Sequence, residues 1–494
     1  MSSFHGWKCL YVLFLFCSLA TSGSPAQVFK SLANFEGTDG EYPLAKLTQG
    51  VDGSLYGTTS DGSDNNGTVF KIIRAGALST VYSFCTSSGC PDGSHPNGLV
   101  LGTDGNFYGT TYGGGPNEEG TVFKITPTGT LTTLYSFCAN PPTCRDGALP
   151  QAPLILARDG NFYGSTTIGG TSDCYGGCGT IFKITPAGHL TTLHRFTLLE
   201  GWYPNGVIQA TNGQFYGTAF NGGAHCRSSG GCGTVFEMTP AGSLKILYNF
   251  CARPNCPDGN SPTSLIQASD GNFYGTALSG GIICNQSIPA CGTVFKITLK
   301  GTLTTLHRFD LTDGANPNGA IMQATDGLFY GTTWYGGNTT ACHVDGCGTV
   351  FRMTLSGTVT TLHSFVYTDG AVPFAGLLQA TCGVFYGNAS SGGDLKCTDF
   401  EGQGCGTVFD LRVGLKPFVA FVSKTGGVGQ KIGILGQGLI GTTAVSFNGT
   451  AAGFTVRSQT LLTAIVPAGA TTGSVTVTTP GGILTSNVPF YVLP

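Results

Sequence analysis

Short apolar runs separated by Gly, Asn, Asp and Pro fill the chain from residue 28 to residue 413, and no segment sustains the periodicity of an amphipathic helix. Four such runs make one unit. In one copy they are 98–101, 107–112, 120–126 and 131–137, rich in Val, Ile, Thr and aromatics, a composition that suits pleated strands. The second run opens as DGSLYG at Asp52, DGNFYG at Asp104, Asp159 and Asp270, NGQFYG at Asn212, DGLFYG at Asp326 and CGVFYG at Cys382. The third reads GTVFKI at Gly67, Gly120 and Gly292, GTIFKI at Gly179, GTVFEM at Gly233, GTVFRM at Gly348 and GTVFDL at Gly406. The fourth is LTTLYSF at Leu131 and LTTLHRF at Leu190 and Leu303. Seven copies at intervals of 52 to 58 residues indicate propeller blades or solenoid units rather than one ordinary domain.

The ends of the array choose between these. The seventh GTVFDL, ending at Leu411, has no fourth run after it, and the missing run stands at the other end as VFKSLANF, residues 28–35. An N-terminal strand that completes the last unit closes a ring and leaves no free edge. The expected fold is all-β: a seven-bladed β-propeller over 27–414 with N-terminal strand (velcro) closure, followed by a smaller β-sandwich over 415–494. In such a blade the DGN and TPTG segments are tight turns on one face. The loops after the second and fourth strands share the other face.

Those loops carry the cysteines. Sixteen of the 19 form eight close pairs: Cys85 with Cys90, Cys138 with Cys144, Cys174 with Cys178, Cys226 with Cys232, Cys251 with Cys256, Cys284 with Cys291, Cys342 with Cys347 and Cys397 with Cys405. A repeat that lacks one member of a pair lacks both, which is what local disulfides in an oxidising compartment produce. A structural zinc would need four ligands where each loop offers two thiols. Of the other three, Cys9 and Cys17 fall in the first 26 residues and Cys382 is left over.

Residues 10–20, LYVLFLFCSLA, follow Lys8 and precede small residues. The run is too short to span a bilayer and fits a secretory leader over 1–26, cleaved after Ala20 or Ala26. No later stretch has the length and apolarity of a membrane helix. With 10% charged residues and a net charge of −3, the chain has no electrostatic reason to bind nucleic acid.

The combination NFYGTT, a Gly-Gly doublet, GTVFKIT and LTTLYSF, spanning roughly 28–413, resembles the tandem Gloeobacter–Verrucomicrobia ("GloVer") repeats of bacterial exported proteins. That resemblance implies export and a propeller-like array, and no known reaction. From Lys416 the composition shifts to Val, Thr and Gly. Gly436-Gln-Gly438, Phe447-Asn-Gly449, Val466-Pro-Ala-Gly469 and Thr479-Pro-Gly-Gly482 resemble an IPT/TIG immunoglobulin-like domain, which implies a spacer or contact module.

Candidate chemistry is sparse. An acidic-Gly-x-x-Pro phrase recurs with Asp39, Asp92, Asp146, Glu200, Asp258, Asp313 and Asp369 in the crossovers. It reads as a carboxylate ring at the channel mouth, able to hold Ca²⁺ or a polyhydroxylated ligand, or as a repeated turn whose carboxylates accept backbone N–H bonds. His194, His307 and His363 take the position of Tyr82, Tyr135 and Tyr248 and read as packing residues. His225 and His343 adjoin cysteines that disulfides would consume. No nucleophile elbow, HExxH or phosphate loop occurs, and no cofactor or metal is expected. Aromatics break the symmetry: Tyr112, Phe220 and Trp334-Tyr335 follow second strands and Trp202 sits in a crossover, a platform for sugar or protein. The leading expectation is an exported, monomeric, non-catalytic binding or adhesion protein that recognises glycan or protein through the disulfide-stapled face. The alternatives are an extracellular polysaccharide hydrolase or lyase using acidic residues at the channel mouth, and a structural cell-surface component.

Overall fold

The computed structural model describes residues 27–62, 66–226, 232–342, 344–397 and 404–493. The proposed leader, 1–26, and His343 lie outside them. The described chain is all-β and built from small antiparallel sheets.

Each repeat forms one sheet of four strands in chain order, such as Ile155–Leu156, Phe162–Thr166, Thr180–Ile184 and Leu190–Arg195. The second repeat adds Ser94–Pro96 beside its second strand. The exception to chain order is the one the sequence predicts. Val28–Asn34 pairs antiparallel with Thr407–Arg412, from Val28 opposite Arg412 to Asn34 opposite Thr407, and completes the seventh sheet. Its ladder carries a bulge between Ser31 and Ala33, the counterpart of the bulge between Thr133 and Tyr135 in the second sheet. The N-terminal strand therefore has the local geometry of a fourth strand, bulge included.

Burial grades across each sheet. The second strands are buried at their first five positions and the third strands at four of their first five in every repeat but the last, where all five are buried. The fourth strands are half exposed. Strands covered on both faces read as apolar runs without alternation, which is why FYGTT and TVFKI resist a simple in–out pattern. The coverage comes from neighbouring sheets. One apolar cluster joins each consecutive pair, and another, containing Phe35, Leu55, Phe70, Tyr386 and Val408, joins the seventh sheet to the first.

The FYG phrase supplies much of this packing. Its Tyr faces the next sheet and its Phe the previous one, so that Tyr108 stacks on Phe162 at 4.1 Å and Tyr163 on Phe215 at 4.3 Å. The Gly that follows leaves room for the neighbouring strand's Phe: a Cβ at Gly109 would stand 2.6 Å from Phe123 Cζ.

Beyond Lys416 two further four-stranded sheets share one core that includes Ile434, Val445, Leu462, Val477 and Phe490. The structure docks this unit against the face of the DGN turns. Thr460 Oγ1 donates to Val51 O at 2.9 Å, Arg74 Nη1 to Gln437 Oε1 at 2.6 Å, and Gln437 Nε2 to Thr381 Oγ1 at 3.0 Å. The Arg158 guanidinium lies 4.3 Å over the Tyr491 ring. Val51, Arg74, Arg158 and Thr381 all belong to turns of that face, so the contact spans three sheets.

Candidate functional site

The inner strands surround a channel of 2580 Å³. Apolar residues such as Leu99, Leu154, Ile208 and Ile266 form its wall, and stretches within 414–425 and 485–491 lie across its end on the DGN face. The opposite end opens among the stapled loops. There each cysteine is joined to the near neighbour that the sequence predicts. Cys85 bonds Cys90, Cys138 bonds Cys144, Cys174 bonds Cys178 and Cys226 bonds Cys232. Likewise Cys251 bonds Cys256, Cys284 bonds Cys291, Cys342 bonds Cys347 and Cys397 bonds Cys405, and Cys382 stays a free thiol. Two groups of metal-ligand type occur among the described residues. One is Cys226, Cys232 and Cys251, the other Glu41, Cys397 and Cys405, and every cysteine in both is disulfide-bonded.

Six aromatic side chains line the open end: Tyr112, Tyr175, Tyr203, Phe220, Trp334 and Phe374. Trp334 stacks on Phe374 at 4.8 Å, with planes 29° apart, and its indole Nε1 is buried without a hydrogen-bond partner. Of the aromatics singled out from sequence, Tyr112, Phe220 and Trp334 stand in the channel. Trp202 and Tyr335 do not. Trp202 stacks on Tyr203 at 4.6 Å and Tyr335 meets Trp334 edge-on at 6.4 Å, so both back the lining residues. Sequence reasoning missed Tyr175, which sits inside the Cys174–Cys178 staple and is almost fully exposed, together with Tyr203 and Phe374.

None of the seven crossover acids lines the channel. Asp92 accepts hydrogen bonds from Tyr82 Oη (2.9 Å) and Cys85 N, Asp146 from Tyr135 Oη (2.8 Å) and Ala139 N, and Asp258 from Tyr248 Oη (2.8 Å) and Cys251 N. Where the repeat has His in place of Tyr, its Nε2 takes the same role: His194 to Glu200 at 3.3 Å, His307 to Asp313 at 2.7 Å and His363 to Asp369 at 3.0 Å. Asp39 accepts from Glu36 N. Each acid is thus bound within its own crossover, the turn geometry of the second alternative. The histidines are more than packing residues, because each bonds its repeat's acid.

A second recurring constellation was not legible beforehand. The Asp of the DGN turn accepts from the Tyr of its own FYG and pairs with the Lys of its own third strand: Asp104 lies 2.9 Å from Tyr108 Oη and 2.7 Å from Lys124 Nζ. The arrangement recurs at Asp52, Asp159 and Asp270. In the fourth repeat the acid moves to the third strand, where Glu237 accepts from Tyr216 Oη. In the seventh, Cys382 replaces the Asp and a fully buried Asp410 replaces the Lys, paired with Arg412 at 3.1 Å.

Two lysines face the channel, Lys46 from the first repeat and Lys424 from the C-terminal unit. Desolvation inside the channel, with the Lys424 charge adding to it, pushes Lys46 down to about 8; desolvation also lowers Lys424.

A family model described as the Gloeobacter/Verrucomicrobia repeat matches residues 18–177, 152–400 and 226–456. The chain belongs to the Gloeobacter/Verrucomicrobia repeat family. Overlapping matches along one chain are what a tandem array of that repeat produces. Among solved structures, this member of the repeat family is similar to a fungal alcohol oxidase of the AA5 family in complex with copper. That likeness has a TM-score of 0.51 and 12% identity over 95% of this chain and 99% of the other. It is also similar to PorZ, a surface component of the type-IX secretion system of Porphyromonas gingivalis, with a TM-score of 0.46 and 11% identity over 93% of this chain and 60% of that one. A Lactobacillus plantarum protein aligns with a TM-score of 0.43 and 18% identity over 68% of this chain and 86% of its own. No curated protein matches. At such identities the first likeness speaks to fold alone. No helix of the described residues is long and apolar enough to cross a membrane.

Proposed function

We propose that the repeats form a seven-bladed β-propeller over 27–414, closed by the N-terminal strand, with an immunoglobulin-like sandwich of IPT/TIG type over 415–494. We read the protein as an exported, non-catalytic binding protein that takes glycan, or an extracellular protein segment, into the open end of its channel. The observation that carries this reading is the group of six aromatics around that opening, on the face where all eight disulfides fix the loops. Aromatic faces stack on sugar rings, and loops held in shape by disulfides and a rigid scaffold lose little entropy on binding. Export is supported by the apolar leader-like run and the density of disulfides.

The hydrolase or lyase alternative asks for carboxylates at the reacting centre, and the crossover acids are engaged in their own turns instead. The test is a panel of soluble oligosaccharides, with binding followed by calorimetry and products followed by chromatography. Binding without turnover supports the proposal. Turnover would select the enzyme, and self-assembly with no binding would select a structural surface component.

A further inference from the structure

One position near the start of each inner strand carries a short side chain in six of the seven repeats. The residue six places before each DGN-type turn is Gly98, Pro153, Gly206, Ser264, Ala320 and Gly376 in six repeats, and Lys46 in the first. At three of these positions the neighbouring repeat stands close: a Cβ at Gly98 would lie 3.1 Å from Pro153 Cβ, one at Gly206 3.1 Å from Ala152 Cβ, and one at Gly376 2.4 Å from Ala320 O. The single long side chain of the set, Lys46, lines the channel. Lys424, from the unit that lies across the channel's end, stands close enough for the two charges to repel. Neither lysine meets a carboxylate among the described residues. Both side chains are exposed to the water that fills the channel, which limits how far either is desolvated.

The other charged groups that face this space are committed or set apart. Arg158 covers Tyr491, Asp270 pairs with Lys296 at 2.9 Å, Asp326 accepts from Tyr330 Oη at 2.8 Å, and His95 lies 3.6 Å from Asp61. Lys416 adds a further positive charge to the lining. Two cations that face one channel with no carboxylate partner give it a positive potential, which a bound anion would meet. The channel, at 2580 Å³, also exceeds the roughly 300–1,000 Å³ typical of small-ligand pockets, so it suits an extended ligand.

We infer that the channel binds an anionic saccharide, carboxylated or sulfated, with its acidic group between Lys46 and Lys424 and its sugar rings against the aromatic opening. The inference rests on the saccharide reading above and adds the ligand's charge and its orientation. Repetition argues for scaffold, whereas a ligand site departs from it, and Lys46 is the departure.

The test uses the full chain and isothermal titration calorimetry with trigalacturonate, a sulfated trisaccharide, maltotriose and citrate. The variants are Lys46→Gly, which installs the residue of the second, fourth and seventh repeats, Lys46→Met and Lys424→Gln. A cooperative unfolding transition at a melting temperature no more than a few degrees below the parent's certifies each fold. The expected result is at least tenfold tighter binding of an anionic trisaccharide than of maltotriose, with a tenfold or greater loss in either lysine variant. The carboxylated and sulfated arms tell the two sources of charge apart. Equal binding of maltotriose, or full affinity in Lys46→Gly and Lys46→Met, overturns the inference and leaves the saccharide reading standing. Citrate bound through the lysines with no saccharide bound keeps the anion site and removes the saccharide reading. No binding of any of the four removes both.

Discussion

Phe35, at the end of the N-terminal strand, meets Phe70 of the first sheet edge-on, with ring centroids 5.1 Å apart and planes at 74°. The pair is one of seven. Phe84–Phe123, Phe137–Phe182, Phe196–Phe236, Phe250–Phe295, Phe309–Phe351 and Phe365–Phe409 repeat it at 5.1 to 5.3 Å. Each joins the last strand of one sheet to the third strand of the next, and Phe35–Phe70 joins the last sheet to the first. Phe35→Ala should therefore cost about 3–5 kcal/mol, the range for emptying a buried Phe site, and should match Phe84→Ala. Denaturant unfolding of the two variants checks this. A much smaller loss at Phe35 would mean that the N-terminal strand adds little to the array.

How much of this was readable beforehand follows from what repeats. Phe35 could be placed because FKSLANF, residues 29–35, matches LTTLYSF in length and apolar spacing, and the strand then had one unpaired position to fill. The disulfides were readable because loss of one cysteine always accompanied loss of its neighbour. The Asp104–Tyr108–Lys124 constellation was not, although all three residues recur, because its members come from a turn and two adjacent strands whose register the sequence does not state. The channel aromatics were half readable. Trp334 and Tyr335 are adjacent in sequence, but alternation along an extended strand sends neighbours to opposite sides, so one lines the channel and the other backs it. Lys46 had a visible signal in its six small counterparts, and comparing repeats position by position would have found it.

Trp334→Ala should weaken saccharide binding tenfold or more with little change in melting temperature, since the ring sits at the opening against Phe374. Tyr335→Ala should do the reverse. Titration calorimetry beside thermal unfolding separates the two, and equal loss of stability in both variants would assign Trp334 to packing.

The Cys174–Cys178 staple encloses Tyr175 at the channel opening. A loop this short restricts the unfolded chain only slightly, so replacing both cysteines with Ser should cost at most about 2 kcal/mol. The larger effect should be on binding, because Tyr175 loses the loop that presents it. Denaturant unfolding and calorimetry on the double variant check this. A global collapse in stability would show that the staple holds the sheet rather than the loop.

Burial acts to raise the Asp104 carboxyl, but the ion pair with Lys124 and hydrogen bonds from Asn106 and Tyr108 outweigh it and bring the group to about 2. A carboxylate depressed below its ordinary value of 3.8 contributes stability above that value and loses it as pH falls towards 2. The side chain is more than a third exposed, so solvent screening holds the contribution under about 1 kcal/mol. Asp104→Asn should lower the melting temperature slightly at pH 6 and converge with the parent near pH 2. A gap that persists unchanged at pH 2 would mean the loss came from the turn and not from the charge.

Lys46 carries the opposite sign. Its folded value of about 8 lies below the ordinary 10.5, so between those limits the folded chain has shed a proton that the unfolded chain keeps, and stability rises with pH. Below pH 8 both states hold the proton, and the full cost of a charge in the channel is borne by the folded state. Lys46→Met should therefore raise the melting temperature, most at pH 6 to 8, with the gain shrinking as pH approaches 10.5. Solvent in the channel keeps the gain smaller than a dry site would give. The same variant should lose anionic saccharide binding, so that stability and affinity move in opposite directions, as expected where a binding residue is held at a cost to the fold. Thermal unfolding of parent and variant across that pH range is the check. A melting temperature unchanged or lowered by Lys46→Met at pH 6 would show that the charge is already solvated where it stands, with no strain for an anion to relieve.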